Sequence, residues 1–330
     1  MKMVKLKQIT AKACKEHLTE LRSLFSELAD RDVFRSDSGF STDKDAILRV
    51  FNTTSSCNKS DILVRLTLID SMYSTQMNRR YYALEELAEV LAKLANGKEE
   101  ALKNMFILFT ENPEIGNRAF NYKEETREGK IIEKNLFSEN YGIGKDGENK
   151  GVAISLISKY AYFETEFKFP IYDSIACEMF PYVWQCCGFG LSDMPKLLYR
   201  EEGKIIGNKT MIEYVNAINK IIGNINCPTL NYDIFDRFLW FVGKICRGNL
   251  SLVLTRKEYE EALQVYPPKE IVKPSKGGKK KVTKEYFDIR DMDIKKLKFL
   301  NNPHNRVLCK FFEYAKFYRE QIELQDRPKL

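Results

Sequence analysis

Hydrophobic residues recur at spacings of three and four through the first third of the chain, which is the pattern of amphipathic helices. Over residues 10–31 the apolar positions are Cys14, Leu18, Leu21, Leu24, Phe25 and Leu28. The same spacing predicts further helices over residues 61–73, 80–95 and 98–109. Alternating patterns of the kind that predict strands are absent here, so we predict that this part is all-α.

The second half continues the helical pattern after a polar, glycine-bearing stretch over 118–150, which is an unusually long insert. Helices are predicted over 151–163, 174–187, 208–223, 232–246, 255–263 and 303–325. One proline pair, one glycine pair and a run of lysines predict a basic linker between the last two of these helices. We therefore expect an all-α chain with a helical core over 1–263, a linker over 264–286 and a C-terminal helical extension over 287–330.

Composition narrows the class of protein. The 330 residues are 44% hydrophobic and 30% charged, with 17 glycines and 10 prolines, which excludes a disordered or collagen-like chain and allows a sizeable core. Lysine and arginine number 53 against 46 acidic residues, a net charge of +7. This mild excess, part of which lies in the linker, permits a polyanionic partner without requiring one.

The compartment and metal content follow from what the sequence lacks. No apolar run reaches the roughly 18 residues that span a bilayer, and no apolar stretch follows the basic first residues as in a signal peptide. The chain has eight cysteines but no Cys-x-x-Cys pair, and only two histidines, His17 and His304. We expect a soluble cytoplasmic protein with reduced thiols, without a metal site or a cofactor and without a membrane partner.

Two stretches carry candidate chemistry. Residues 68–76 form an apolar helix that ends in a small polar turn containing Gln76. Residues 158–173 place Lys159 on a helix, then a proline turn, then Asp173 at the start of the next helix. Taken singly, each has an ordinary interpretation: Asp173 as a helix N-cap, Lys159 as a solvated lysine and Gln76 as a turn residue.

In this order, the two stretches resemble the helix-hairpin-helix DNA glycosylase superfamily, and most closely its 8-oxoguanine glycosylase branch, over about residues 60–190. In that family a helix ends in a Ser-x-Gln-like turn that faces DNA. A hairpin and a lysine-bearing helix then lead to a proline turn that holds the catalytic aspartate. The resemblance implies a two-lobed helical fold with the site between the lobes. It also implies a monomer that excises a damaged or modified base from double-stranded DNA.

The chemistry of base excision accounts for these residue types. Breaking an N-glycosidic bond develops positive charge on the sugar, which a nearby carboxylate stabilises. A lysine with a depressed pKa can attack the same carbon and form a Schiff base that permits strand cleavage. The resemblance therefore implies Asp173 as the stabilising carboxylate and Lys159 as the nucleophile. In an alternative without lysine chemistry, Asp173 activates water.

The hairpin of the family usually has an apolar-Pro-Gly-x-Gly sequence immediately before the lysine helix. The nearest match in this chain, residues 141–144, lacks the proline and ends 15 residues before Lys159. Lys145 and Lys150 are therefore alternative nucleophiles.

DNA binding is expected from the polar turns. Backbone amides of a glycine-rich hairpin suit phosphate binding, and arginines that follow the glutamine turn can clamp the backbone. The residues expected to contact DNA are Gln76, Arg79, Arg80, Gly142, Gly144 and Lys145. A base taken out of the duplex also needs aromatic partners. Candidates are Tyr73, Tyr160, Tyr162, Phe180 and Trp240.

The identity of the base is left open by the sequence. 8-Oxoguanine is the default that the resemblance implies. The long 118–150 segment and the additional C-terminal segment also support a bulkier substrate, such as a hypermodified pyrimidine of bacteriophage DNA, in which case the enzyme acts in defence. Two other classes are a catalytically inactive DNA-binding or scaffold protein with the same fold, and an unrelated helical adaptor.

Overall fold

A computed structural model describes residues 9–28, 39–73, 75, 77–126, 128–144, 152–195, 207–274 and 281–321. These residues are mostly helical, which confirms the helical class that the periodicity predicted. The α-helices of the described residues are α1 (Ala11–Leu28), α2 (Gly39–Thr53), α3 (Lys59–Tyr73), α4 (Ala83–Ala95), α5 (Ala101–Glu111), α6 (Pro113–Ala119), α7 (Ile154–Glu164), α8 (Ser174–Cys186), α9 (Gly207–Ile225), α10 (Tyr232–Cys246), α11 (Arg256–Val265) and α12 (Arg306–Gln321).

Most helix boundaries lie within a few residues of the predicted ones, and α10 has the predicted bounds. Two helices, α2 and α6, were not predicted. In α6 the Asn112-Pro113 pair starts a helix rather than only ending one. The Asn112 side chain accepts a hydrogen bond from Ile115 N, and Pro113 occupies the first turn, where its missing N–H costs nothing.

Two antiparallel hairpins lie in the described residues, one in the polar 118–150 stretch and one in the segment predicted as a linker or loop. β1 (Asn121–Glu125) pairs with β2 (Ile131–Asn135), and β3 (Lys269–Pro274) pairs with β4 (Lys281–Tyr286). The linker-or-loop prediction for 264–286 was therefore wrong at β3 and β4. Along β1, exposed and half-buried positions alternate and none is buried, so the strand lacks the apolar alternation that sequence patterns detect.

One continuous hydrophobic core runs through both halves of the described chain. Within it α3 packs on α4, α8 packs on α10, and α10 packs on α12. The ring of Tyr318 in α12 stacks on Tyr182 in α8 with their centroids 5.1 Å apart. The C-terminal helix therefore supports α8 directly. The predicted division of the chain into a core, a linker and a C-terminal extension, with boundaries at residues 263 and 286, stays a prediction.

A buried arginine joins α2, α3 and α7. Arg65 is 1% exposed and forms an ion pair with Glu164, with 2.7 Å between Nη1 and Oε2. It also donates to the backbone oxygen of Phe51 at 2.7 Å, to Thr54 Oγ1 at 2.8 Å and to Ser56 Oγ at 2.9 Å. Burial raises the pKa of Glu164, although its hydrogen bonds and the charge of Arg65 oppose this rise. The network fixes the end of α2 and the end of α7 to the middle of α3.

An unusual turn follows α7. Glu166 and Phe167 both have positive φ, 53° and 72°, which is uncommon for bulky residues. The amide of Phe167 donates to the Tyr162 carbonyl at 2.6 Å, and the two rings lie 4.7 Å apart. This packing holds the turn that reverses the chain and brings the start of α8 beside α7.

Candidate active site

Lys159 and Asp173 lie together, although they are 14 positions apart in sequence. Lys159 Nζ is 3.4 Å from Asp173 Oδ2. The lysine side chain, in the middle of α7, is 3% exposed, and the aspartate side chain is 24% exposed. The interpretation of Lys159 as a solvated lysine is therefore wrong. The pair reaches solvent through its carboxylate.

Asp173 combines two roles in one side chain. Its Oδ1 accepts hydrogen bonds from the amides of Ile175 and Ala176, both at 2.9 Å, which confirms the predicted N-cap of α8. Its Oδ2 faces Lys159. Burial alone would raise the pKa of Asp173, but the charge of Lys159 and the two amides lower it below its usual value. The carboxylate is thus ionised at neutral pH.

The Lys159 amine has a defined environment. Nζ donates to Ser155 Oγ at 2.9 Å, one helical turn earlier, and lies 5.6 Å from the centre of the Tyr73 ring. Tyr73, at the end of α3, is partly buried, and among the proposed stacking residues, all of which the structure describes, its ring is the one recorded near the amine. Of the other proposed stacking residues, Tyr160, Tyr162 and Phe180 are buried in the core. Trp240 is half-buried.

The turn that carries Asp173 is held from both sides. Ser158 Oγ accepts a hydrogen bond from the Tyr172 amide at 3.0 Å and lies 3.3 Å from the Tyr172 carbonyl oxygen. The Tyr214 hydroxyl, from α9, donates to the Ile171 carbonyl at 2.7 Å. These bonds fix the carboxylate before any ligand arrives, which is the arrangement that favours electrostatic stabilisation.

Helix α10 fixes the first turn of α8. A Cβ atom at Gly243 would overlap the Ile175 side chain, so the two helices approach closely only because this residue is glycine. Arg247, just after α10, forms an ion pair with Glu178 at 2.7 Å and donates to the Ser174 carbonyl at 3.1 Å. The position of Asp173 therefore depends on α10 as well as on α7.

A second lysine–aspartate pair lies between α2 and α10, and sequence reasoning missed it. Lys44 Nζ is 2.8 Å from Asp233 Oδ1, Tyr162 bonds to both groups through its hydroxyl, and Arg237 reaches Asp233 Oδ2 at 2.8 Å. Burial lowers the pKa of Lys44. Burial alone would raise the pKa of Asp233, but Lys44 and Arg237 lower it to about 2. The only sequence signal was the Asp233–Arg237 spacing of four residues.

Asp236, one turn further along α10, is a third carboxyl group of this region and was also missed. It is partly buried. Burial raises the pKa of Asp236 to about 7; the charge of Lys44 opposes this rise, and the charges of Asp173 and Asp233 add to it. Two aspartates three residues apart on a largely apolar helix were the available signal.

The glycine turn predicted to bind phosphate has another partner. The amide of Gly142 donates to Glu86 Oε2 at 2.7 Å, so it is not available to a phosphate. Gly142 has φ 75°, and the backbones of Tyr81 and Ile143 exchange hydrogen bonds of 2.9 and 3.0 Å beside it. Gly144 is buried. This turn is therefore anchored to the segment before α4.

The predicted arginines directly precede two exposed tyrosines in the sequence. Arg79 is exposed and Arg80 is partly buried, which lowers the pKa of Arg80. Tyr81 and Tyr82 follow directly, with 58% and 67% of their surface exposed. Arginine and aromatic side chains together are the residue types that contact nucleic-acid backbones and bases. Gln76, Lys145 and Lys150 lie outside the described residues.

We expect Gly142→Ala to lower the free energy of unfolding by about 2–4 kcal/mol, because a Cβ adds left-handed strain and overpacking. That Cβ would lie 2.6 Å from Ala83 Cβ and 2.7 Å from the Tyr81 carbonyl oxygen. Gly97→Ala is the matched control, since its φ is 72° but no atom lies within 4 Å of the added Cβ. Urea unfolding measures both. Equal losses in the two variants would contradict the packing argument.

Comparisons with protein-family models, with curated proteins and with solved structures find no match for this chain. Among the described helices, none has the length and apolarity needed to cross a membrane. Within the same residues, no group of three or more histidine, cysteine, aspartate or glutamate side chains is arranged to hold a metal ion.

Proposed function

We propose that this protein is a DNA glycosylase that excises a damaged or modified base from double-stranded DNA. One observation carries the proposal: a buried lysine amine lies 3.4 Å from an ionised, helix-capping aspartate. This is the pair that the resemblance to helix-hairpin-helix glycosylases implied, in the same chain order. The same proposal includes the two-lobed fold of that superfamily, a monomeric state and activity without a cofactor.

The pair has the chemistry that base excision needs. As the bond between C1′ and the base nitrogen breaks, the bonding electrons leave with the base and positive charge develops on the sugar. The Asp173 carboxylate stabilises that charge. Lys159, once it has lost a proton, attacks C1′; opening of the sugar ring gives a Schiff base from which β-elimination cleaves the strand. In the monofunctional variant, water takes the place of the amine.

The types of exposed residue that follow α3 support a DNA partner. The arginine and tyrosine residues at positions 79–82 lie immediately after the segment that follows α3, and Tyr73 at the end of α3 faces the Lys159 amine. The modest net charge predicts weak non-specific affinity that falls steeply with salt.

Base release from a panel of duplexes tests the proposal. The panel contains unmodified DNA, 8-oxoguanine DNA and bacteriophage DNA with hypermodified pyrimidines, and free base is quantified by chromatography with mass detection. We expect release from at least one modified duplex and none from unmodified DNA. Failure with the whole panel would overturn the proposed function. Activity confined to 8-oxoguanine would end the hypothesis of phage defence.

Borohydride reduction distinguishes the two mechanisms. A Schiff base between enzyme and DNA is reduced to a stable adduct, which we expect for wild type but not for Lys159→Gln. Lys103→Gln is the control, because Lys103 pairs with Glu166 on the surface, away from Asp173. Base release without any adduct would assign the water mechanism. An adduct that persists in Lys159→Gln would move the nucleophile to Lys145 or Lys150, and peptide mapping identifies which.

An inactive scaffold with the same fold predicts a different geometry. A lysine without a catalytic role would point to solvent, away from Asp173, whereas Lys159 is almost fully buried and pairs with that carboxylate. The helical-adaptor alternative predicts binding that is insensitive to salt, because phosphate contacts are absent. The salt dependence of duplex binding separates it from the proposed function.

A further inference from the structure

Helix α10 has one face that belongs neither to the core nor to the open surface. Every partly exposed position of the helix lies on this face, at spacings of three and four residues. The positions are Tyr232, Asp233, Asp236, Arg237, Trp240 and Lys244, and Arg247 continues the row just after the helix. Because the rest of α10 is buried in the core, this row is the side of the helix that a ligand can reach.

Both ends of the row contact the elements that carry the candidate site. At one end, the carboxylate of Asp233 accepts a hydrogen bond from the Tyr162 hydroxyl of α7. At the other end, Arg247 Nη2 donates at 3.1 Å to the carbonyl of Ser174, the residue that follows Asp173. The row therefore runs from α7 to the first turn of α8.

Lys244 lies at the α8 end of the row. The residue before it, Gly243, packs so closely on Ile175 that an added Cβ would lie 2.4 Å from Ile175 Cγ2. Arg247, about one helical turn later, holds the Ser174 carbonyl. Since consecutive Cα atoms are about 3.8 Å apart, these two contacts fix the Lys244 backbone beside the N-terminus of α8.

The Lys244 amine lacks the kind of partner that the neighbouring cations have. Lys159, Arg237 and Arg247 each form an ion pair with a carboxylate. In the described part of the chain, the only polar or aromatic partner of Lys244 Nζ is the ring of Trp240, whose centre is 5.5 Å away. Burial and the neighbouring cations lower the pKa of Lys244. A half-buried ammonium group without a carboxylate is complementary to an anion that comes from outside the protein.

We propose that Lys244 is a phosphate-binding residue and that its amine binds a backbone phosphate of the nucleotide whose sugar lies at Asp173. The inference rests on the proposed function and adds to it a residue that the resemblance did not imply. The phosphates of a nucleotide are attached to C3′ and C5′ of the same sugar that Lys159 attacks at C1′. A nucleotide bound for excision therefore brings an anion to the same site, and lysine is a usual partner of backbone phosphates.

The salt dependence of duplex binding tests this contact. Dye-labelled duplexes of the panel are titrated with protein between about 50 and 200 mM salt, and fluorescence anisotropy gives the Kd. We expect Lys244→Gln to bind about 10–100-fold more weakly than wild type and to reduce the slope of log K against log salt by about 0.9. Lys244→Arg keeps the charge and should keep the slope. Lys93→Gln is the control, because Lys93 pairs with Glu89 on the exposed surface of α4, and it should leave both quantities close to wild type.

Neutral phosphates identify the partner. Each phosphate near the target nucleotide is replaced in turn by an uncharged methylphosphonate. We expect one position at which this replacement weakens the binding of wild type but not that of Lys244→Gln, because both changes remove the same contact. If every position weakens the two proteins equally, Lys244 contacts no phosphate and the inference is overturned.

Tryptophan fluorescence gives a readout inside the site. The chain has two tryptophans: Trp240 is half-buried beside the Lys244 amine, and Trp184 is 2% exposed. A phosphate that binds the amine changes the surroundings of the Trp240 ring, so the emission should change on duplex binding. This change should be lost in Trp240→Phe and kept in Trp184→Phe. An equal change with inorganic phosphate alone, at the ionic strength of the assay, would assign a site for free anions and overturn the DNA contact.

The outcomes separate this inference from the proposed function. If the methylphosphonate position is found but wild type releases no base from any duplex, Lys244 binds DNA and the glycosylase proposal is overturned. If base is released and Lys244→Gln keeps the wild-type salt slope, the phosphate contact is wrong and the glycosylase proposal stands. If wild type neither binds nor cleaves any duplex, both are overturned.

A structural role for Lys244 predicts a lower melting temperature for Lys244→Gln. We expect no such loss, since a half-buried charge without a counter-ion does not stabilise the fold. Should Lys244→Gln not fold, wild type alone decides. One methylphosphonate position must then abolish the change in Trp240 emission, and the absence of any such position overturns the inference.

Discussion

Asp173→Asn is expected to slow base release by about 10²–10³-fold, the loss typical of one electrostatic contact to a transition state. Asparagine caps helices about as well as aspartate, so the hydrogen bonds from the Ile175 and Ala176 amides are retained. What is lost is the negative charge beside Lys159. Single-turnover release at saturating enzyme measures the effect without a contribution from DNA binding.

Two further variants separate charge from capping. Asp173→Ala removes both and should unfold about 1 kcal/mol more easily than Asp173→Asn. Asp293→Asn makes the same chemical change at another N-cap and should leave release unchanged. Because the pKa of Asp173 is lowered on folding, its carboxylate stabilises the protein above its ordinary pKa of 3.8, and this stabilisation is lost as pH falls. An Asp173→Asn variant with wild-type release would remove the central support for the glycosylase proposal.

Arg65→Met is expected to lower the free energy of unfolding by about 3–5 kcal/mol, because it leaves the Glu164 carboxylate buried without its cation. The carbonyl of Phe51 and the hydroxyls of Thr54 and Ser56 lose their donor as well. Methionine keeps much of the volume, so the loss reports the charge and the hydrogen bonds. Urea unfolding at pH 7 measures it.

The matched control is an ion pair on the surface. Arg256→Met breaks the bond to Glu260, where both side chains are exposed, and should change the free energy of unfolding by less than about 1 kcal/mol. The double variant of Arg65→Met with Glu164→Gln should recover part of the loss, because a neutral amide is buried at lower cost than a carboxylate. No recovery would show that the packing of Arg65 rather than its ion pair stabilises this junction.

The sequence predicted the helices well where an apolar face repeats every three or four residues, as in α10. It did not predict α2, whose charged residues include the buried Lys44, because a lysine is expected on the exposed side of a helix. The hairpins were missed for a related reason. In β1, for example, no position is buried, so the sequence does not show the apolar alternation that distinguishes a strand from a polar loop.

The candidate site was predicted only in part. Lys159 and Asp173 came from a resemblance in motif and order, and the structure brings the two side chains together. The Lys44–Asp233 pair and Asp236 depend on how α2, α7 and α10 pack, which single-sequence patterns do not encode. Gly142 was assigned to phosphate binding because glycine turns often have that role. Its contacts with Glu86 and Ala83 depend on a distant segment and became visible only in three dimensions.

The contact between α12 and α8 has a consequence for how the protein is made. The hydroxyl of Tyr318 bonds to the sulfur of Cys186, 132 positions earlier in the chain. At the usual 5–20 residues per second, a ribosome needs roughly 7–26 s to travel that distance. During this interval the helix that Asp173 caps exists without its last packing partner. The nascent chain therefore acquires a fully supported Asp173 turn late in synthesis, well after all the residues of that turn have been joined.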